Sequence, residues 1–221
     1  MTISKDLTQF LKDLEQNNNK EWFDANRKRY DKHVKTTFKK LVEQIITEVA
    51  FVDDSIASLE AKDAIFRINR DIRFSNDKTP YKTQMSAIIS PIGKKDKTNP
   101  GLYFEIDKSG INVYGGTYMP DKDQLLNIRN CIAEDMDGFH EVLANPEFVA
   151  HYGGFAESEK HKRLPKELQP AAEEEPLIYN KAFYFMSREE VDYDDPRIVD
   201  IIMIKFLAAK PVSDWLKKAI G

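Results

Sequence analysis

Leu102-Tyr103-Phe104-Glu105-Ile106-Asp107-Lys108-Ser109-Gly110-Ile111-Asn112-Val113-Tyr114 holds two apolar runs with the two-residue period of a strand, separated by the turn-forming Asp-Lys-Ser-Gly. This is the clearest β-hairpin in the chain, and it sets an antiparallel sheet at the centre of the fold. Two further runs, 85–92 and 182–186, read as strands. Phe66, Ile68, Ile72 and Phe74 alternate with Arg67, Asn69, Asp71 and Arg73, interrupted by Arg70, which predicts another strand leading into a loop at 75–80. In that loop Thr79 precedes Pro80 and is pushed out of the helical region.

Helices are expected around this sheet. Leu7, Phe10, Leu11 and Leu14 recur at helical spacing after Ser4, a capping residue, and the helix stops at Asn17-Asn18-Asn19. Asn18 and Glu21 have capping-box spacing, and a stripe from Trp22 through Tyr30, Phe38, Leu41 and Ile45 to Val49 predicts one long second helix. Its opposite face carries Arg27, Lys28, Lys32, Lys35, Lys39 and Lys40, a solvated face or a surface for acidic partners. Pro120-Asp121 opens a helix with Leu125, Ile128 and Ile132 inward, and Arg129 falls on or beside that buried stripe. Short helices follow at 139–143 and 146–152, and 157–175 reads as the longest loop. Asp195-Pro196 begins an apolar helix, from Ile198 to Leu207, with burial expected on several sides. Pro211 begins a closing helix. The result is an α+β chain: a single layered domain over residues 1–221, with a mainly antiparallel central sheet flanked by helices.

Composition limits the function classes. With 37 acidic against 33 basic residues the net charge is −4, so broad nucleic-acid binding is not expected. The single cysteine, Cys131, cannot form an internal disulfide, and no stretch has the length of a membrane span. No membrane association and a cytoplasmic location are therefore expected. His33, His140, His151 and His161 are scattered without metal-ligand spacing, and no glycine-rich phosphate loop occurs. No metal site is expected and no cofactor is assigned.

Residues 66–82, Phe-Arg-Ile-Asn-Arg-Asp-Ile-Arg-Phe-Ser-Asn-Asp-Lys-Thr-Pro-Tyr-Lys, closely resemble the signature of a conserved, mostly bacterial family known as domain of unknown function 2461. Glu21-Trp22-Phe23 with Asn26-Arg27 and Tyr30 resembles its N-terminal segment, and residues 114–120 with Arg129 its middle. Arg163-Leu164-Pro165-Lys166 resembles a later piece, although Glu167 stands where glycine is expected. The resemblance implies one domain and no reaction.

The 66–82 motif sets Arg67, Arg70, Arg73, Lys78 and Lys82 against Asp71 and Asp77, an excess of cations in an acidic protein. Guanidinium forks match phosphate or carboxylate oxygens, so Arg67, Arg70, Asp71, Arg73, Lys78, Tyr81, Lys82 and Arg129 are the candidate residues for a small anionic or phosphorylated ligand. Tyr81, Tyr103, Tyr114 and Tyr118 are candidates to stack on its body. Asp71 and Glu105 are the only carboxylates considered for acid-base work, and no catalytic residue is assigned. The rival reading is an interaction module whose basic loop and helix face dock an acidic protein or an RNA backbone. A third is architectural, with the arginines held by internal carboxylates.

Overall fold

A computed structural model describes residues 5–95, 100–191 and 196–221. Four strands, β1 (Met85–Ile89), β2 (Leu102–Ile106), β3 (Gly110–Thr117) and β4 (Phe183–Glu190), form one sheet in the order β1-β2-β3-β4. The hairpin is β2 and β3, and Leu102, Phe104 and Ile106 are its buried row. With helices accompanying this antiparallel sheet, the fold is α+β.

The chain divides into two compact units, one drawing on 1–95, 103–113 and 188–204, the other on 96–102, 114–187 and 205–221. In the first, α1 (Lys5–Gln16) buries Leu7, Phe10, Leu11 and Leu14. The expected cap Ser4 lies outside the described residues. Helix α2 (Lys20–Ala25) is capped by Asn19, whose side chain accepts the Trp22 N–H at 2.9 Å. The predicted Asn18 capping box is therefore not formed. The long second helix is also broken up. After Asn26 and a short turn, Arg27–Arg29, the backbone widens into a π-helical stretch, Tyr30–Lys35, before α3 (Thr36–Ala50). There the Asp31 carbonyl accepts both the Thr36 N–H and its hydroxyl. Phe10 gathers Trp22, Phe23 and Tyr30 at centroid distances of 5.4–6.2 Å, and α3 adds Phe38, Leu41, Val42 and Ile45 to the core.

The predicted strand at 66–74 does not form. Ile65 bridges Ala87 and Asn69 bridges Tyr81, with Phe66 N–H on the Ser86 carbonyl and Arg70 N–H on the Pro80 carbonyl, and then the chain leaves its partner. Ile68 is buried, but Phe74 is 94% exposed.

The second unit packs α4 (Lys122–Glu134), α5 (Met136–Leu143), α6 (Pro146–Tyr152) and α7 (Gln169–Glu174) around a core that includes Ile128, Phe139, Phe148, Ile178, Phe183, Phe185 and Leu216. Asp121 closes a capping box with Gln124. The predicted loop 157–175 contains α7 and the 3-10 turn Lys166–Leu168, because Leu168 and Ala172 find places in this core. At Gly116, φ is +83° and a Cβ would stand 2.2 Å from the Phe183 carbonyl oxygen, so glycine is required.

The last helix, α8 (Ile198–Ile220), runs through Pro211 without ending. Proline fits helical φ and here removes only one backbone donor, while Val212 and Leu216 keep the following turns buried. Burial is uneven around the helix: Ile198, Val199 and Ile202 are buried, whereas Ile204 is 51% and Leu207 48% exposed. Asp195 lies outside the described residues. Among those residues, no helix is long and apolar enough to cross a membrane.

Candidate basic groove

Three of the motif's five cations are held inside its own loop. Asp71 takes Arg73 in two parallel bonds, Nε at 2.9 Å and Nη2 at 2.7 Å, and Arg73 also lies over the Phe74 ring. Arg70 donates to Asp77, to the Thr79 hydroxyl and to the Thr79 carbonyl. Lys78 donates to the Ile72 carbonyl at 3.0 Å. These contacts hold both carboxyls well below their ordinary range: Asp71 at about 2, chiefly through Arg73, and Asp77 at about 2, chiefly through the Thr79 N–H and then Arg70. Arg70, Asp71, Arg73 and Lys78 therefore hold one another in a largely exposed loop, whereas the architectural reading expected all of the motif's arginines to be held by internal carboxylates. Tyr81 is buried, stacked on Phe23 at 4.1 Å.

Arg67 and Lys82 differ from the other motif cations. Neither side chain makes a hydrogen bond or an ion pair among the described residues, although the Lys82 backbone N–H donates to the Ile68 carbonyl at 2.8 Å. The Lys82 ammonium lies 5.3 Å from the Phe66 ring centroid, and burial pushes its pKa down, opposed by Glu105 and reinforced by Arg67. Phe66 also meets the edge of Tyr103, whose hydroxyl donates to Glu105 at 2.6 Å.

Arg67 opens onto a groove of about 880 Å³ within the first unit. Its floor is apolar, built from Phe23, Tyr30, Ile65, Phe66, Ile68 and Met85. The π-helical stretch and the start of α3 supply Asp31, Lys35 and Lys39, the turn before it Arg27, and the segments at 62 and 94 two more lysines. Six cations, Arg27, Lys35, Lys39, Lys62, Arg67 and Lys94, thus face one carboxylate, Asp31. Several have outward partners: Arg27 binds Asp24 at 2.7 Å, Lys39 binds Glu43 at 3.0 Å and Lys62 binds Glu60 at 2.7 Å. Lys94 donates to the Lys62 carbonyl at 2.6 Å. These exposed pairs add little to stability, and their carboxylates offset part of the positive charge, as Asp31 does for Lys35 at 4.0 Å.

Arg129 lies in the second unit, buried as its helical position predicts. Nε donates to the Ile178 carbonyl at 2.8 Å and Nη2 to the Asn180 carbonyl at 3.0 Å. Its fork holds backbone. Tyr118 packs against Tyr184, also in the second unit. Among the described residues, no three His, Cys, Asp or Glu side chains converge as metal ligands would.

The family model described as a conserved hypothetical protein, DUF2461, matches residues 6–215. The chain belongs to this family. No curated protein and no solved structure matches it. In this DUF2461 chain, the 66–82 motif combines two jobs. Residues 70–79 lock a loop, while Arg67 and Phe66, on the stem of that loop, face the groove. The helix face and the basic loop, which the sequence joined only in the docking reading, meet here around one groove, to which Arg27, Lys35 and Lys39 contribute with Arg67. A π-helical stretch has no residue signature, but such stretches recur at functional sites.

Proposed function

We propose that the groove of this DUF2461 protein binds a small anionic or phosphorylated ligand, with Arg67 as its principal contact. The observation that carries the reading is the guanidinium of Arg67, unpaired among the described residues, in a concave, apolar-floored site that those residues line with five further cations and a single carboxylate. Low-dielectric walls concentrate such a field, and a guanidinium matches phosphate or carboxylate oxygens as a fork. Concavity favours a small ligand over the flat docking patch of the rival reading, although Lys28, Lys32 and Lys40 are exposed beside it and suit an acidic protein or RNA backbone. The reading treats residues 1–221 as one domain, since a single family model spans both units.

A thermal-shift series with phosphate, pyrophosphate, citrate, phosphorylated metabolites and a short RNA tests it. An anion present at about a hundred times its dissociation constant adds roughly 2.7 kcal/mol, or about 5–10 °C in a chain of this size. A shift with small anions that disappears in Arg67→Ala supports the reading. Stabilisation by RNA alone supports the docking alternative.

A further inference from the structure

The groove's floor is the part that a bare anion leaves unused. A volume of about 880 Å³ lies in the range of sites for whole small molecules, several times what one phosphate fills. Of the floor residues, Phe23, Ile68 and Met85 are buried to within a few per cent, so the surface actually offered comes mainly from half-buried Ile65 and Phe66. Phe66 is held in place, with the Tyr103 ring centroid at 5.8 Å in a T-shaped contact and the Lys82 ammonium at 5.3 Å, so its orientation is set before any ligand arrives. Two guanidinium planes, Arg27 and Arg67, border the same space. Aromatic rings and guanidinium planes both stack on flat π-systems, whereas a linear alkyl chain gains nothing from their flatness. Tyr81, one of the four tyrosines that the sequence offered for stacking, is already covered by Phe23.

We infer that the ligand is a phosphate ester with a planar aromatic body, the phosphate meeting Arg67 and the ring lying against Phe66. This rests on the anion-binding reading and narrows it to a substrate class of which nucleotides are the simplest members.

Calorimetric titrations with adenosine monophosphate, hexyl phosphate and inorganic phosphate, in a phosphate-free buffer, test the inference. Adenosine monophosphate should bind at least tenfold tighter than either of the others. Phe66→Leu should erase that advantage while leaving inorganic phosphate affinity unchanged. In the unaltered protein, nuclear Overhauser contacts should connect adenine protons with Phe66 ring protons, a readout that holds even if the leucine variant folds poorly. Hexyl phosphate matching adenosine monophosphate, or an advantage that survives Phe66→Leu, would overturn the inference and leave anion binding standing. No binding of any of the three would overturn both.

Discussion

The side-chain amide of Asn18 closes on both backbone groups of Tyr81: its Nδ2 donates to the Tyr81 carbonyl at 2.8 Å, and its Oδ1 accepts the Tyr81 N–H at 3.0 Å. An asparagine is the one residue of its size that can both donate and accept here. The contact ties the linker between α1 and α2 to the closing end of the signature motif, 63 residues away. Asn18→Ala removes both bonds and should lower stability by roughly 1–3 kcal/mol. Asn18→Asp keeps the size but sets a carboxylate against a carbonyl, and should lose at least as much. Denaturant midpoints measure both, and an Asp variant as stable as the natural protein would contradict this role.

The loop at 70–79 should carry an acid-side signature. Asp77 titrates at about 2 in the folded chain, against an ordinary 3.8, because the Thr79 N–H and Arg70 favour its charged form. A folded value below the unfolded one means that the charged form's contribution is complete above about pH 4 and is lost as pH falls through about 2. The stability gap between the natural protein and Asp77→Asn should therefore narrow over that window. A gap constant from pH 6 to pH 2 would show that the Asp77 charge does not hold the loop.

Much of this was legible beforehand, and the failures have physical causes. Alternating apolar runs about the Asp107–Gly110 turn identified the β2–β3 hairpin, and Pro120-Asp121 identified the start of α4. The same period-two rule misjudged Phe74, since alternation says nothing about where a partner strand ends, and pairing stops at Asn69 and Tyr81. Asn18 and Asn19 are chemically identical, and only the distant Tyr81 backbone decides which of them caps α2. For the candidate site, counting charges found the motif and its two carboxylates but not which arginines they hold: Asp71 takes Arg73, two residues on, and Asp77 reaches back to Arg70. Arg67 alone was expected in the site and also lines the groove, whose other cations come from three separated segments that no linear pattern joins.

Arg129 gives a prediction of the opposite kind, a charged motif residue whose role is to hold backbone. Arg129→Met leaves two buried carbonyls, of Ile178 and Asn180, without donors, at about 1–3 kcal/mol each. A stability loss of roughly 2–5 kcal/mol is expected, with anion affinity of the remaining folded protein unchanged. Lost anion affinity in a stable Arg129→Met variant would instead place this arginine in the ligand site.

Arg67 and Arg73 together give the most direct test of anion binding in the groove. Both are exposed arginines of one motif, but Arg67 is unpaired at the groove and Arg73 is clasped by Asp71. Pyrophosphate affinity and denaturant midpoint should be measured for Arg67→Ala and Arg73→Ala side by side. Arg67→Ala should lose roughly 1.5–3 kcal/mol of binding, on the order of ten- to a hundredfold in Kd, with a midpoint close to that of the natural protein. Arg73→Ala should bind pyrophosphate normally. Equal affinity in the natural protein and Arg67→Ala, or a loss confined to Arg73→Ala, would contradict the account.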